Sequence, residues 1–581
     1  MDILGISFGI DTSAALIRDG RTVAAALEER FSRIKHDTAW PAAAIESCLR
    51  EGGTSLMDVD SIAFFWNPSL QLDFPHGGRS RTYRHHGDYL HMAPSWLLGA
   101  LRGPLGGIRS GHTTQTIELD GRKPLVVHYV THHHTHAAAA FFPSPFDQAA
   151  ALTVDGYGER AATTLGAWRA DGDGHRYEAL GQMEFPQSLG AVYAAVTGWL
   201  GFKPNNGEGK VMGLAPYGDD RFVDAFRDIL GVGGRGHDPE APYCIDGSWF
   251  AYTLDTADRV SARFVTRFGA PAQRDQVHTE QQRAVAFALQ RVTEEALLAL
   301  AQQLHRLSGL PNLVMAGGVA MNSAANGRLE REGPFEQVWI QPSAGDGGTA
   351  VGAALYVWHV LHGGTQRHRW LNDQLGPAFD DEACRDALRR GGWTWQEPDD
   401  IAADTAAALA RGELVGWFQG RAEFGMRSLG ARSILADPRR AENKDVLNAR
   451  VKFREPFRPF APSVVAERAG EFFDVPNGSD AVPFMQKVVS VRPAARGQLG
   501  AVTHVDGSAR VQTVSAQGSP LYHRLITAFG ALTGVPVVLN TSFNVRGEPI
   551  VGTPDDALRC WASTGLDRLV LGPCVLSKPT G

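Results

Sequence analysis

Cysteine is scarce. The 581-residue chain has five, Cys48, Cys244, Cys384, Cys560 and Cys574, and none forms a C-x-x-C pair. This argues against zinc knuckles, thioredoxin chemistry and a disulfide scaffold, and it fits a reducing cytoplasm. No apolar run approaches the roughly 18 residues of a membrane span. The opening MDILGISFGIDTSAALIRDG has no basic region followed by an apolar core, so it does not read as a signal peptide. Base is in deficit, with 56 Lys and Arg against 63 Asp and Glu and a net charge of −7. An extended nucleic-acid face is therefore not expected, although a local basic pocket is compatible. There is no tandem repeat and no long low-complexity tract. What remains is a globular composition, 43% hydrophobic and 20% charged, with length for roughly two to four domains.

The first 30 residues read as strand, turn, strand, turn, strand. Gly9 and Asp11-Thr12-Ser13 form the first turn and Asp19-Gly20 the second. Glu280 to Gly309 reads as a long amphipathic helix ended by glycine, followed by the strand NLVMAGGV. Leu56 to Arg122 looks irregular, an insertion or lid. Its Phe64, Phe65, Trp66, Phe74, Tyr83, Tyr89 and Trp96 are as compatible with core packing as with an acceptor pocket. Composition shifts near residues 360–379, and beyond them arginine becomes dense between Arg421 and Arg458.

Five motifs carry chemistry. In THHHTHAAAAFFP, Thr131 reads as an N-cap and Pro143 as a stop. His132 and His136, four apart, share a helical face with Cβ atoms roughly 6 Å apart, close enough to chelate one ion. Asp155 ends the apolar strand AALTV, where α/β sheets place ligand carboxylates. Two glycine turns, AGGVAMN and SAGDGGTA, each precede a helix and suit a nucleotide. Asp346, in the second turn, completes a two-His, two-Asp set of the kind that holds iron(II), manganese or zinc. The arginines and Lys452 recur among glycines, prolines and aromatics rather than at helical spacing with acids, which suits phosphate or carboxylate. Asn540, Thr541, Ser542 and Asn544 close a buried strand and can bond a small planar ligand. Each motif taken alone also has an ordinary structural reading: a polar helix start with exposed histidines, a strand-end turn, a salt-bridge seam, a polar loop.

Taken in order, EERFSRIKHDTAWPAAAI, HHHTHAAAAFFPSPFDQAAALTVDGYGE, NNGEGKVMGLAPYG, AGGVAMN, GDGGTAVGAAL, GRAEFGMRSLGARSILADPR, VKFREPFRPFAPS and LNTSFNVRGEPIV resemble the O-carbamoyltransferases of nodulation-factor and antibiotic biosynthesis. The resemblance runs over nearly the whole chain. It implies α/β and α+β architecture: an actin-like ATPase domain (ASKHA, duplicated ribonuclease-H-like) over 1–365, similar to threonylcarbamoyltransferases, a linker over 366–395, and a YrdC-like domain over 396–581. The second part would make carbamoyladenylate from carbamoyl phosphate and ATP with magnesium. The first would pass the carbamoyl group to a hydroxylated small molecule at a divalent metal, iron(II) being favoured.

By motif match the metal ligands would be His132, His136, Asp155 and Asp346. Gly317, Gly318, Asn322, Gly345, Gly347 and Lys210 would surround the adenylate. Arg427, Lys452, Arg458, Arg510, Asn540 and Ser542 would hold carbamoyl phosphate. Many relatives read His-Asp in the first turn where this chain has Ile10-Asp11, so the base falls to Asp11 or His36, with Lys35 orienting acceptor or intermediate. Two other readings share these domain types. A hydrogenase-maturation carbamoyl-activating factor would need C-x-x-C pairs and the reverse domain order. A tRNA threonylcarbamoyltransferase is disfavoured by the acidic balance. Partners are expected to be small molecules, with no nucleic acid and no membrane; homo-oligomerisation is left open.

Overall fold

The computed structural model describes residues 1–67, 112–119, 121, 123–238, 240–253, 259–475 and 482–578. The chain forms two compact units. The first is Met1–Val23, Thr38–Ile45 and Gly52–Arg369; the second is Ala24–Asp37, Glu46–Glu51 and Trp370–Gly581. No helix among the described residues is long and apolar enough to cross a membrane.

The first unit holds two sheets. One contains β1 (Asp2–Ser7), β2 (Ser13–Arg18), β3 (Arg21–Leu27), β4 (Ser61–Phe64), β5 (His112–Ile117) and β6 (Leu125–Val130), in the order β3-β2-β1-β4-β6-β5. The other contains β7 (Ala149–Val154), β8 (Ala161–Asp171), β9 (Gly174–Glu184), β10 (Asn312–Ala316) and β11 (Gln337–Ile340), in the order β11-β10-β7-β8-β9. The two repeat one plan. Three consecutive strands lie side by side. A fourth then pairs parallel with the first of them, β4 with β1 and β10 with β7. A further parallel strand lies beyond it, β6 on β4 and β11 on β10.

The described ends of the 56–122 segment are therefore sheet framework. β4 is an interior strand and β5 an antiparallel edge strand. Four residues of Ser61–Phe64 are too short to show a clear alternation, which is why sequence periodicity missed them. Phe74, Tyr83, Tyr89 and Trp96, read as either core packing or an acceptor pocket, lie outside the described residues.

Two glycines set the packing around the future site. A Cβ at Gly5 on β1 would stand 1.9 Å from the Ala350 carbonyl, and one at Gly352 would stand 1.9 Å from the Thr135 carbonyl. The Thr349–Tyr356 helix thus presses against both β1 and the His132–Phe141 helix. The Glu280–Ser308 helix starts at a Thr279/Gln282 capping box and stops at Gly309, φ 66°.

The second unit is built on a seven-stranded sheet. Its strands are β12 (Val415–Phe418), β13 (Arg432–Ala436), β14 (Ala461–Val465), β17 (Gln512–Val514), β18 (Val537–Ser542), β19 (Arg568–Leu571) and β20 (Cys574–Ser577), ordered β17-β14-β18-β13-β12-β19-β20. A small antiparallel pair, β15 (Val488–Ser490) and β16 (Ser508–Arg510), accompanies it. Alternate residues feed two cores. Ile434, Ala436, Val537 and Leu539 face one, Leu435 and Val538 the other. Cys384, Ala387 and Leu388 of the Asp381–Gly391 helix cover the first, inside the stretch 366–395. Leu409, Leu525 and Phe529 cover the second. Both faces are buried, so the strands read as apolar runs.

The N-terminal segment Ala24–Asp37 is tied into this unit. The buried Arg30 pairs with Glu29 at 2.8 Å and donates to the Gly425 carbonyl at 2.8 Å. Arg33 donates to the carbonyls of Ile550 (2.6 Å) and Pro549 (2.9 Å).

Candidate metal centre and anion cluster

His132 and His136 lie on one face of the His132–Phe141 helix, and both are 1% exposed. Their burial removes the reading of a polar helix start with exposed histidines. Thr131 occupies the N-cap position but its side chain caps nothing. The His132 N–H instead donates to the buried Glu159 carboxylate, at 3.0 Å to one oxygen and 3.2 Å to the other. The Asn67 N–H donates to the same carboxylate at 2.6 Å. Burial pushes the Glu159 carboxyl up, against the pull of His132 and the bonded N–H groups.

The imidazole Nε2 atoms stand 3.1 Å apart. Asp155 Oδ2 is 2.9 Å from His132 Nε2 and 3.4 Å from His136 Nε2. Asp346 Oδ1 is 3.7 Å and 3.6 Å from the same two nitrogens. One donor atom from each of the four residues lies within 4.8 Å of all the others. The other oxygen of Asp155 accepts the Gly318 N–H at 2.8 Å, which fixes the carboxylate with Oδ2 towards the histidines. Burial opposes charge on His136, but its bonds to Asp155 and Asp346 outweigh it and raise the imidazole to about 9. Burial also opposes charge on Asp155, yet His132 and His136 hold it well below the usual carboxylate range. Burial and the Asp155 charge push Asp346 up. Two imidazoles and two carboxylates, buried and convergent, fit a divalent cation of the iron, manganese or zinc type.

The other two histidines of the run are built in. His133 bonds Thr153 (2.6 Å) and the Ala161 carbonyl (2.8 Å), and burial lowers it to about 3. His134 stacks on Tyr356 at 5.7 Å.

The glycine turns flank the cluster. Gly317 has φ 97°, and a Cβ there would stand 2.3 Å from the Val154 carbonyl. Its N–H donates to Ala344 (2.8 Å), which joins the two turns. Gly345 and Gly347 bracket Asp346, and the Gly347 carbonyl accepts the Ser13 hydroxyl at 2.8 Å. Asn322 is occupied structurally: it caps the Ser323–Glu332 helix and exchanges two hydrogen bonds with Gln290. Lys210 lies on the Glu208–Leu214 helix with its ammonium 5.2 Å from the Phe202 ring. That helix reaches the Asn322 turn through Met212, whose sulfur accepts the Ser323 hydroxyl at 3.6 Å. Asp11, with φ 55°, belongs to the first unit, whereas Lys35 and His36 belong to the second.

The second unit gathers the predicted cations. The buried Lys452 ammonium donates to Asn544 Oδ1 (2.8 Å), the Asn544 carbonyl (2.9 Å) and the Ser542 carbonyl and hydroxyl. No carboxylate is among these partners. Burial, then Arg454, Arg458 and Lys35, depress Lys452 well below its ordinary value. Burial and Arg458 lower Arg427 to about 10. Burial, Arg427, Arg454 and Arg458 depress Arg510. The Nε atoms of Arg427 and Arg510 are buried without a hydrogen-bond partner. Arg458 pairs with Glu455 at 3.6 Å. Asn540 donates to Ser428, Ser463 and Gln512 at 3.1 Å each, and its Oδ1 is buried without a partner. Like charges in low dielectric repel strongly, so such a cluster is poised for a multiply charged anion. Sequence reasoning left out Arg454, Gln512 and Glu159. Arg454 and Glu159 stand inside quoted motifs; nothing local marks Gln512.

The family profile described as Carbamoyltransferase N-terminus matches residues 2–355, and that described as Carbamoyltransferase C-terminus matches residues 406–578. Nodulation protein NolNO of Sinorhizobium fredii is 38% identical over 99% of this chain and 80% of its own length. The 3'-hydroxymethylcephem-O-carbamoyltransferase of Amycolatopsis lactamdurans is 33% identical over 66% of this chain and 67% of its own. Full-length HypF in its phosphate- and nucleotide-bound form aligns at TM-score 0.29 and 15% identity, over 63% of this chain and 56% of that one, too weakly to argue from. With both halves matched in order and over most of its length, the chain belongs to the carbamoyltransferase family of enzymes.

Proposed function

We propose that this enzyme carbamoylates a hydroxyl of a small specialised metabolite, using carbamoyl phosphate and ATP. The observation that carries the reading is the cation cluster of Arg427, Lys452, Arg454, Arg458 and Arg510, short of carboxylates and set beside Asn540 and Ser542. Carbamoyl phosphate matches it: a dianionic phosphate for the cations and an amide for the neutral polar groups. The repeated sheet plan of the first unit supports an actin-like nucleotide fold there. The three-layer second unit takes the YrdC-like role.

Atom balance sets the steps. Carbamoyl phosphate loses phosphate to water, giving carbamate. A carbamate oxygen bonds the α-phosphorus of ATP and pyrophosphate leaves. The acceptor oxygen then bonds the carbamoyl carbon, the bond to AMP breaks, and AMP departs. Asp11 or His36 takes the acceptor proton. Gly317, Gly318, Gly345 and Gly347 let backbone approach the adenylate. A divalent cation on His132, His136, Asp155 and Asp346 would supply Lewis-acid neutralisation of the leaving phosphate.

The test is incubation with carbamoyl phosphate, ATP and iron(II), reading pyrophosphate and carbamoyladenylate. Release of pyrophosphate that depends on carbamoyl phosphate is expected. No nucleotide turnover with iron(II), manganese or zinc would sink the proposal.

A further inference from the structure

Four aromatic rings form a chain of successive contacts that starts at the metal cluster. Trp66, just past β4, packs on the His132 imidazole with centroids 5.3 Å apart. Tyr157, in the turn after Asp155, meets Trp66 edge-on at 6.3 Å. Phe185, after β9, follows at 5.7 Å, and Tyr252 at 5.9 Å. The four come from separate stretches of the first unit, so their contact is a product of the fold. They are half-buried or exposed, Tyr157 being 40% exposed. Contact between the four makes the strip contiguous and half-open, the form an apolar ligand surface takes. The strip has fixed polar points. The Tyr252 hydroxyl is anchored on the Pro186 carbonyl at 2.8 Å. The Trp66 indole N–H is buried with no hydrogen-bond partner, a donor held ready beside the cluster.

We infer that this ladder is the acceptor platform: it selects hydroxyl compounds with a flat-faced ring system, laid over Tyr157 and Phe185 with the reacting hydroxyl at the Trp66–His132 end. A flat ring gains stacking along rungs spaced 5.7–6.3 Å apart, which an aliphatic chain does not. The inference rests on the carbamoyl-transfer reading above.

The test compares naphthalen-2-ylmethanol with propan-1-ol as acceptors, with carbamoyl phosphate, ATP and iron(II). Acceptor-independent pyrophosphate release is followed in parallel. The naphthyl alcohol is expected to have kcat/KM at least about tenfold higher. Tyr157→Ala and Phe185→Ala should each cut that preference to about twofold through KM, with pyrophosphate release unchanged, while Tyr157→Phe retains it. The inference is overturned if the variants keep the preference, if the native protein has none, or if the naphthyl alcohol is never carbamoylated while pyrophosphate is released. Absence of pyrophosphate release itself overturns the underlying carbamoyl-activation reading and the inference with it.

Discussion

At the scale of single residues, the two clusters predict separable defects. Arg458→Ala opens the cation cluster and should abolish adenylate formation, while transfer from supplied carbamoyladenylate survives. His136→Ala should do the reverse, keeping pyrophosphate release and losing product; if both variants fail at one step, the two-site assignment is wrong. A third residue gives a pH test away from the chemistry. Asp373 is 1% exposed and one of its oxygens has no partner. Burial and the Glu423 charge raise it to about 8. The folded chain therefore keeps a proton that the unfolded chain releases above an ordinary carboxylate pKa of about 4. Between those values the unfolded state binds fewer protons, so stability falls as pH rises, by at most about 1.4 kcal/mol per pH unit. Asp373→Asn removes the penalty. Its melting temperature should match the native protein near pH 4 and exceed it progressively towards pH 8, and a constant offset across that range would refute the assignment.

At the scale of elements, the His132–Phe141 helix depends on a cap supplied from elsewhere. Glu159 holds the N–H groups of His132 and Asn67. Glu159→Ala leaves two buried donors unpaired, at about 1–3 kcal/mol each. Differential scanning calorimetry should register a lower melting temperature, and metal titration a weaker site, because the histidines lose their fixed start. Gly317→Ala tests the first glycine turn. The added methyl would face the Val154 carbonyl at 2.3 Å in a left-handed backbone. It should shift the turn that presents Gly318 to Asp155, so metal affinity falls at least about tenfold; unchanged affinity would show that the turn absorbs the methyl.

At the scale of the whole molecule, the boundary between units does not follow chain order. The compact second unit begins at Trp370 and also includes Ala24–Asp37 and Glu46–Glu51. A fragment of residues 370–581 would lose the Arg30 bond to Gly425 and the Arg33 bonds to Pro549 and Ile550. It should express poorly or melt well below the full chain, and addition of a peptide spanning residues 24–51 should restore part of the difference. A fragment as stable as the full chain would show that these N-terminal bonds contribute little.

What the sequence determined by itself is local and periodic. The spacing of His132 and His136 is one helical turn, so their shared face follows from covalent geometry. The strand end at Asp155 and the glycine stop at Gly309 follow from short-range preferences, and the structure has them there, whereas the strand read as ending before Asn540 runs on to Ser542. Composition is just as direct about what is missing. Tertiary structure decided the rest. It buried His133 against Thr153 and Ala161 and so separated it from the ligand pair. It moved the helix cap from Thr131 to Glu159, 28 positions further on, and no local preference encodes a cap at that distance. It turned Asn322 into a cap bonded to Gln290, and it brought Arg510 to Arg427 and Arg458. Such pairings depend on how strands and helices stack once apolar faces are buried, and that packing is a property of the whole chain, invisible to any window along it.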